Sequence, residues 1–125
     1  MSYKRECFAC PSLQQLLRFR IVLSTFASSF RLHNEGITAG HFSHIFLVDA
    51  SSATEPEAMV ALANFADDNT TVIVTGAPGN HSSWVRSEVG RKYGLSKSYF
   101  ERLLELRPYG SSNEMFITKL DAFGR

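Results

Sequence analysis

One acidic residue, Asp49, directly follows the apolar run from Ile45 to Val48. This run makes residues 43–49 a predicted strand, and its near-continuous apolar character predicts burial on both faces, as in a parallel sheet. In such sheets chemistry gathers beyond the carboxyl ends of the strands. An acid at that place can hold Mg²⁺ or activate water in a nucleotide hydrolase, and it can equally cap a turn. Asp49 alone leaves both interpretations open.

A glycine-rich loop, GAPGNHSS, follows the next apolar run, at residues 76–83. Strand, glycine-rich loop and helix start, in this order, are the arrangement that cradles phosphate groups. The phosphate-binding motif G-x-x-x-x-G-K-[ST] is not completed here, because its second glycine and its lysine are both missing. The spacing therefore favours an ordinary strand-to-helix turn over a phosphate cradle.

The remaining reactive side chains form no recognisable site. Cys7 and Cys10 make a CxxC pair, but zinc needs four ligands and the sequence has no second pair at ligand spacing. A redox CxxC would open a helix after a strand, whereas this pair lies near the N-terminus. We expect two reduced cysteines in a loop and no metal site. The four histidines are His33, His41, His44 and His81, and their spacing predicts no catalytic role.

Helices and strands alternate along the chain at the spacing of a parallel α/β sheet. Two capping boxes, Thr54 with Glu57 and Ser98 with Glu101, mark helix starts. The periodicity predicts helices over 11–18, 27–34, 54–65 and 84–93 and after Ser98, and strands over 19–25, 43–49, 71–76 and 115–120.

Composition and charge exclude several classes of protein. The chain has 125 residues, 44% of them hydrophobic and 20% charged, which suits one folded domain at most. No apolar run approaches the roughly 18 residues of a membrane helix, and Arg18 and Arg20 interrupt the place where a secretory signal would be apolar. We therefore expect a soluble cytosolic or nuclear protein. Residues 43–85 carry five acids and no Lys or Arg, between two basic flanks.

Five stretches of the sequence carry a family resemblance. They are FRIVLST, EGITAGHFSHIFLVDASSATEPEAM, TTVIVTGAPGNHSSWVRS, YGLSKSYFERLLE and FITKL, between residues 19 and 120. In this order they resemble the first RecA-like domain of superfamily-1 RNA helicases of the plant silencing-defective and animal Mov10 type. The resemblance implies an α/β fold of the P-loop NTPase type, a partial RecA-like parallel sheet flanked by helices, without the Walker A strand. Residues 19–125 would form this partial domain, after an N-terminal loop and short helix at 1–18.

The chain departs from the family at the ATP-hydrolysing motif. Family members read Asp-Glu-Ala-Gly-Gln where this chain reads VDASS, at residues 48–52. The family's magnesium-holding Asp falls on Val48, which cannot ligate a metal. Its water-activating Glu falls on Asp49, whose side chain is one methylene shorter. A misplacement of about 1 Å can cost on the order of 100-fold in rate.

The family's nucleotide-binding motifs are also altered. Its Gly-Asp-Pro-Lys/Arg-Gln-Leu keeps only Gly76 and Pro78, and the Gln that senses the γ-phosphate falls on Asn80. Of the following Asn/Gln-Tyr-Arg only Arg125 remains. The resemblance thus implies a degenerate nucleotide site at these four residues. The family uses ATP and Mg²⁺, and we expect this chain to retain neither.

Ser24 and Thr25, at the end of FRIVLST, match the family motif whose hydroxyls and backbone contact RNA. Phosphate contacts of this kind carry no sequence information. The alternative is a simple turn at the end of a strand. The resemblance implies RNA and silencing proteins as partners, a cytoplasmic location and no membrane.

Three functional hypotheses follow from these motifs. In the family the Walker A loop precedes the position of Phe19 and a second RecA-like domain follows that of Arg125, so the sequence predicts a truncated helicase. The first hypothesis is an ATP-dependent RNA helicase domain acting in RNA silencing. The second, which describes this chain better, is a catalytically inactive protein that binds RNA or a partner. The third is a fragment without an independent role.

Overall fold

The computed structural model describes residues 9–79, 85–111 and 113–120. Its helices are α1 (Leu13–Leu16), α2 (Ser29–Asn34), α3 (Glu55–Phe65), α4 (Glu88–Lys92) and α5 (Tyr99–Glu105), its strands are β1 (His44–Leu47) and β2 (Thr71–Val74), and 3₁₀ turns lie at Ala50–Ser52 and Tyr109–Ser111. Most of the predicted helices and the two central strands are confirmed, with shorter bounds. No helix within these residues is long and apolar enough to cross a bilayer.

The two strands pair with each other in parallel. The Thr71 N–H donates to the Ser43 carbonyl and the Thr75 N–H donates to the Leu47 carbonyl, each over 2.9 Å. Both bonds join residues 28 apart, so the register is constant along the pair. This confirms a small α/β domain with a parallel sheet, the coarser part of the predicted fold class. The carboxyl ends of both strands lie together, as the sequence predicts.

Two predicted strands are wrong. Residues 19–25 and 115–120 form no strand, and Ile21 and Leu23 are exposed. The backbone bonds around the first segment are local, since Phe19 donates to the Leu16 carbonyl and Thr25 accepts from Ser29. In the second, the N–H groups of residues 116 and 117 both donate to the carbonyl of residue 113, which makes a turn. Apolar and β-branched residues form strands only where a neighbouring strand offers pairing, and neither segment has one among the described residues.

The prediction that the second strand is buried on both faces is also wrong. Leu47 is buried, but Phe46 is 62% exposed and Val48 68% exposed. Successive side chains of a strand point to opposite faces, so Leu47 faces the interior while Phe46 and Val48 face outward. An apolar run therefore does not ensure burial of both faces in a sheet of only two strands.

The chain divides into two compact units. Unit 1 comprises Met1–Ile45 and Met59–Thr71, and unit 2 comprises Phe46–Ala58 and Val72–Arg125. Unit 1 has a hydrophobic core of three buried side chains, Leu16, Ile37 and Phe65, with Leu13, Leu32, Phe42 and Ile45 packed against it. The rings of Phe42 and Phe65 meet edge to face at a centroid distance of 5.8 Å. This core holds α2, because Leu32 belongs to that helix.

Unit 2 relies on small buried side chains and on polar links between its elements. Of the two predicted capping boxes, Ser98 with Glu101 is complete, since the Ser98 hydroxyl accepts from the Glu101 N–H over 3.1 Å. At Thr54, the N–H donates to a Glu57 carboxylate oxygen over 2.8 Å. Glu55, in the first turn of α3, accepts two bonds from Arg102 of α5, at 2.7 Å from Nη2 and 2.8 Å from Nε. The paired guanidinium and carboxylate tie α5 to the start of α3.

Candidate functional site

Asp49 lies directly beyond β1, beside the end of β2. Its N–H donates to the Thr75 hydroxyl over 3.2 Å, and the next N–H, of Ala50, donates to the Thr75 carbonyl over 2.7 Å. The Asp49 backbone is in the left-handed region, with φ 53° and ψ 43°. A residue other than glycine costs of order 1 kcal/mol or more in that conformation, although Asp tolerates it better than most. The surrounding hydrogen bonds hold this turn.

Ser51 connects the loops that follow the two strands. Its side chain is buried. The hydroxyl donates to Asp49 Oδ1 at 3.4 Å and accepts from the Ala77 N–H at 3.2 Å. We call this set of bonds among Asp49, Ala50, Ser51, Thr75 and Ala77 the Ser51 network. Ser51 was not predicted as a site residue. The sequence signal at this position is a serine where the Mov10-type family has glycine.

The residues at this strand end do not fit a magnesium ion. Magnesium requires oxygen ligands in octahedral geometry. Val48, at the position where the family has its ligand, offers none and is largely exposed. The Asp49 carboxylate accepts a bond from Ser51. Within the described residues, no group of three or more His, Cys, Asp or Glu side chains could hold a metal ion.

Gly76 and Pro78 lie on the loop after β2, in unit 2. A side chain at position 76 would meet the Phe100 ring, whose nearest atom is 3.0 Å from an ideal Cβ. Gly76 thus lets this loop pass close to α5. Pro78 and Gly79 border an open cavity of about 490 Å³, and its other lining residues are Ser96, Lys97, Glu101, Leu104 and Glu105. In this lining Lys97 Nζ is 2.6 Å from the Glu105 carboxylate. Asn80 and Arg125, the other two predicted nucleotide contacts, lie outside the described residues.

Ser24 and Thr25 lie in unit 1, and both are exposed. Thr25 organises the turn into α2: its hydroxyl accepts from the Ser28 N–H at 3.1 Å, and its carbonyl accepts from the Ser29 N–H at 3.1 Å. The Ser24 hydroxyl donates to the Thr25 carbonyl at 3.0 Å. The predicted RNA-binding pair therefore sits at a turn before a helix rather than at the end of a strand.

Two side chains of α5, Tyr99 and Arg102, have pKa values shifted by burial and by ion pairing. Partial burial raises the pKa of Tyr99, and the Arg102 guanidinium, 5.4 Å from the centre of the ring, opposes this shift. The hydrogen bond to Glu55 raises the pKa of Arg102 further above its ordinary value, so the guanidinium stays charged. Of the CxxC pair, Cys10 is exposed and free, and Cys7 lies outside the described residues.

The sequence is similar to those of several RNA helicases. It is 32% identical over 127 residues to the human RNA helicase Mov10l1, covering 94% of this chain. It is 36% identical over 97 residues to the probable RNA helicase armi of Drosophila melanogaster, covering 78% of the chain. It is 34% identical over 116 residues to the putative helicase mov-10-B.1 of Danio rerio, covering 88%. No protein-family model and no solved structure matches the chain.

Similarity of this extent places the chain among the superfamily-1 helicases. Within this class it belongs to the Mov10-type family of RNA helicases. The chain spans 10% of the length of human Mov10l1, 8% of armi and 12% of mov-10-B.1.

Proposed function

We propose that this chain is an RNA-binding region of a Mov10-type helicase that does not itself hydrolyse ATP. The observation that carries the proposal is the composition of the loop after β1. Val48 exposes an apolar side chain where the family has a metal ligand, and the carboxylate of Asp49 bonds to Ser51. Hydrolysis of a nucleoside triphosphate depends on positioning by metal, acid and phosphate-binding groups together.

The loop after β2 supports the same proposal. Of the family motif that contacts the nucleotide, only Gly76 and Pro78 remain among the described residues, and neither has a polar side chain. The Ala77 N–H, a backbone donor of this loop, bonds to Ser51. Lys97, a cation of the neighbouring cavity, is paired with Glu105. These contacts are the reason that we propose no ATP or Mg²⁺ for this chain, although the family uses both.

RNA binding is supported by unit 1. The relatives are named RNA helicases, and Ser24 and Thr25 are exposed at the position of the family's RNA-contacting motif. Their contacts would be with phosphates and sugars and would not depend on base sequence. From the resemblance alone we also propose a cytoplasmic location and a role with RNA-silencing proteins.

The proposal is tested on the 125-residue chain by two measurements. With ATP and Mg²⁺ we expect no phosphate release above buffer. With a labelled single-stranded RNA we expect binding that weakens as salt increases, because cationic side chains replace counterions on the phosphates. The variant Ser24→Ala/Thr25→Ser removes the Ser24 hydroxyl but keeps a hydroxyl at position 25 to accept from the Ser28 N–H. This variant should bind RNA more weakly than the wild-type chain.

Two results would overturn the proposal. One is magnesium-dependent ATP hydrolysis that the Asp49→Asn variant abolishes, since that variant separates activity of this chain from a contaminating ATPase. The other is an absence of RNA binding by a chain that melts cooperatively. For the measurement of ATP hydrolysis, the matched control is the variant Val48→Asp/Asp49→Glu, since it restores the two family side chains at the altered positions.

A further inference from the structure

Residues 20–23, with the sequence RIVL, have the composition of a strand but no strand to pair with. They lie in no helix or strand, and within the part of the chain that the structure describes their N–H groups make no hydrogen bond. Ile21 is 80% exposed and Leu23 90% exposed. In an extended strand these two side chains lie on one face. The segment thus offers an apolar face together with unpaired backbone groups.

The outer edge of β2 offers the complementary backbone groups. Thr71 and Thr75 direct their N–H groups toward β1. Because successive N–H groups along a strand point to opposite sides, those of Val72 and Val74 point away from β1. The sheet has two strands among the described residues, so no third strand of that part of the chain covers this edge. An uncovered edge of this kind is a template for pairing with another chain.

The charges beside the two segments are opposite in sign. Arg18 and Arg20 are exposed at the amino end of residues 20–23, and neither forms an ion pair within the described ranges. Asp67 and Asp68 are exposed in the turn that leads into β2. A strand laid parallel to β2 would have its amino end beside this turn and would bring the arginines to the aspartates. Complementary charges of this kind fix the orientation of two partners.

We propose that residues 20–23 of one chain add as a third, parallel strand to the outer edge of β2 in a second copy of the chain. The partner is a second copy because the same sequence carries the unpaired segment and the uncovered edge, with opposite charges beside them. If each copy gives its segment to the other, both segments and both edges are covered, and the assembly closes as a dimer. The inference concerns a protein interaction and depends neither on RNA binding nor on the lack of ATP hydrolysis.

Sedimentation equilibrium of the 125-residue chain without RNA tests the proposal. We expect a mass that rises with concentration toward twice the 14.0 kDa of one chain. Ile21→Asp/Leu23→Asp should raise the Kd of the dimer about tenfold or more, because burial of two apolar side chains is lost. Met115→Asp/Leu120→Asp is the matched control, since these side chains are 85% and 88% exposed, and it should leave the Kd unchanged.

Reversed charges test the parallel orientation. Arg20→Glu and Asp68→Lys should each raise the Kd about two- to fivefold, the range for one exposed ion pair. The variant that combines both changes places Glu at position 20 of one copy against Lys at position 68 of the other, and it should recover the wild-type Kd. A combined variant weaker than either single variant would overturn the parallel placement.

The other outcomes are equally decisive. A wild-type chain that stays monomeric at its highest soluble concentration would overturn the proposal. Equal weakening by the control variant would show general apolar association and would also overturn it. Should Ile21→Asp/Leu23→Asp fail to melt cooperatively, a synthetic peptide of residues 18–24 decides: it should dissociate the wild-type dimer, whereas its Val22→Pro version, which lacks one backbone donor, should not. Dissociation by both peptides, or by neither, would contradict strand addition.

Discussion

The loop after β1 and the turn before α2 both match functional motifs of the same family, yet they use their polar atoms differently. In the Ser51 network, Asp49, Ser51 and Ala77 bond to one another across two loops. In the turn before α2, Thr25 bonds to the N–H groups of Ser28 and Ser29, and Phe30 of α2 is exposed. Polar atoms joined to each other stabilise a structure, whereas exposed rings and cations suit a ligand. The first region contributes to stability, and the second carries exposed groups that suit the RNA binding proposed above.

The largest effect is expected in the hydrophobic core that α2 packs against through Leu32. Phe65→Ala removes a buried ring from the core that holds Leu32 and should lower the free energy of unfolding by about 3–5 kcal/mol. RNA affinity should fall with it. Urea unfolding followed by circular dichroism measures this change. The half-exposed Phe19 is the control, since Phe19→Ala should cost about 1 kcal/mol or less, and equal losses in the two variants would contradict the assigned core.

Removing the Ser51 hydroxyl should sharpen the comparison. Ser51→Ala removes the hydroxyl of a buried side chain and with it the acceptor of the Ala77 N–H, at a cost of about 1–1.5 kcal/mol, the upper part of the range for one hydrogen bond. Ser24→Ala, at an exposed hydroxyl, should stay within about 0.5 kcal/mol. Chemical denaturation of both variants gives the two values. The opposite ranking, with Ser24 costing more, would show that the Ser51 network does not contribute to stability.

The Thr25 hydroxyl should have a smaller effect, confined to the turn before α2. Thr25→Ala loses the acceptor of the Ser28 N–H in the turn before α2, and one such hydrogen bond contributes about 0.5–1 kcal/mol. Thr25→Ser keeps the hydroxyl and should be nearly neutral. Amide hydrogen exchange at residues 28–30 measures the local change, and similar protection in both variants would exclude a capping role.

The smallest effect concerns pH. Burial raises the pKa of Tyr99 in the folded chain above its value in the unfolded chain. The folded state then binds this proton more tightly. The contribution of Tyr99 to the free energy of unfolding is therefore constant below about pH 10 and is lost as the pH rises beyond it. Urea midpoints at pH 9 and above pH 10 should show the decline. Tyr99→Phe should reduce it, and an unchanged decline would assign it to other groups.

Features set by neighbouring residues could be predicted from the sequence. At Thr54 and at Ser98 the backbone N–H donates to the glutamate three positions on, as the sequence predicts, because such a bond needs only neighbouring residues. The strand over residues 19–25 could not be predicted correctly, because an apolar run does not say whether a partner strand adjoins it. The apolar run of residues 45–48 likewise predicted burial of Phe46, but the exposure of this side chain depends on which elements cover the sheet.

The candidate sites follow the same division. Asp49 was predicted from its position after an apolar run, and it does lie at the strand end. Ser51 was missed because its partner Ala77 is 26 residues away, and only the parallel register brings the two together. Phe30 was assigned to a helix, but its exposure depends on Leu32 being the side chain that enters the core.

The order of the two units along the chain constrains how the molecule can be cut. The backbone leaves unit 1 after Ile45, returns at Met59 and leaves again after Thr71. Phe65 and its packing partner Leu16 are thus separated by a piece of the other unit. A chain that stops at residue 58 during synthesis lacks Phe65 of the unit 1 core and Arg102, the partner of Glu55. Neither unit can therefore fold completely until the chain has been made beyond Met59, where it returns to unit 1. N-terminal fragments ending within residues 46–64 should accordingly yield neither unit intact.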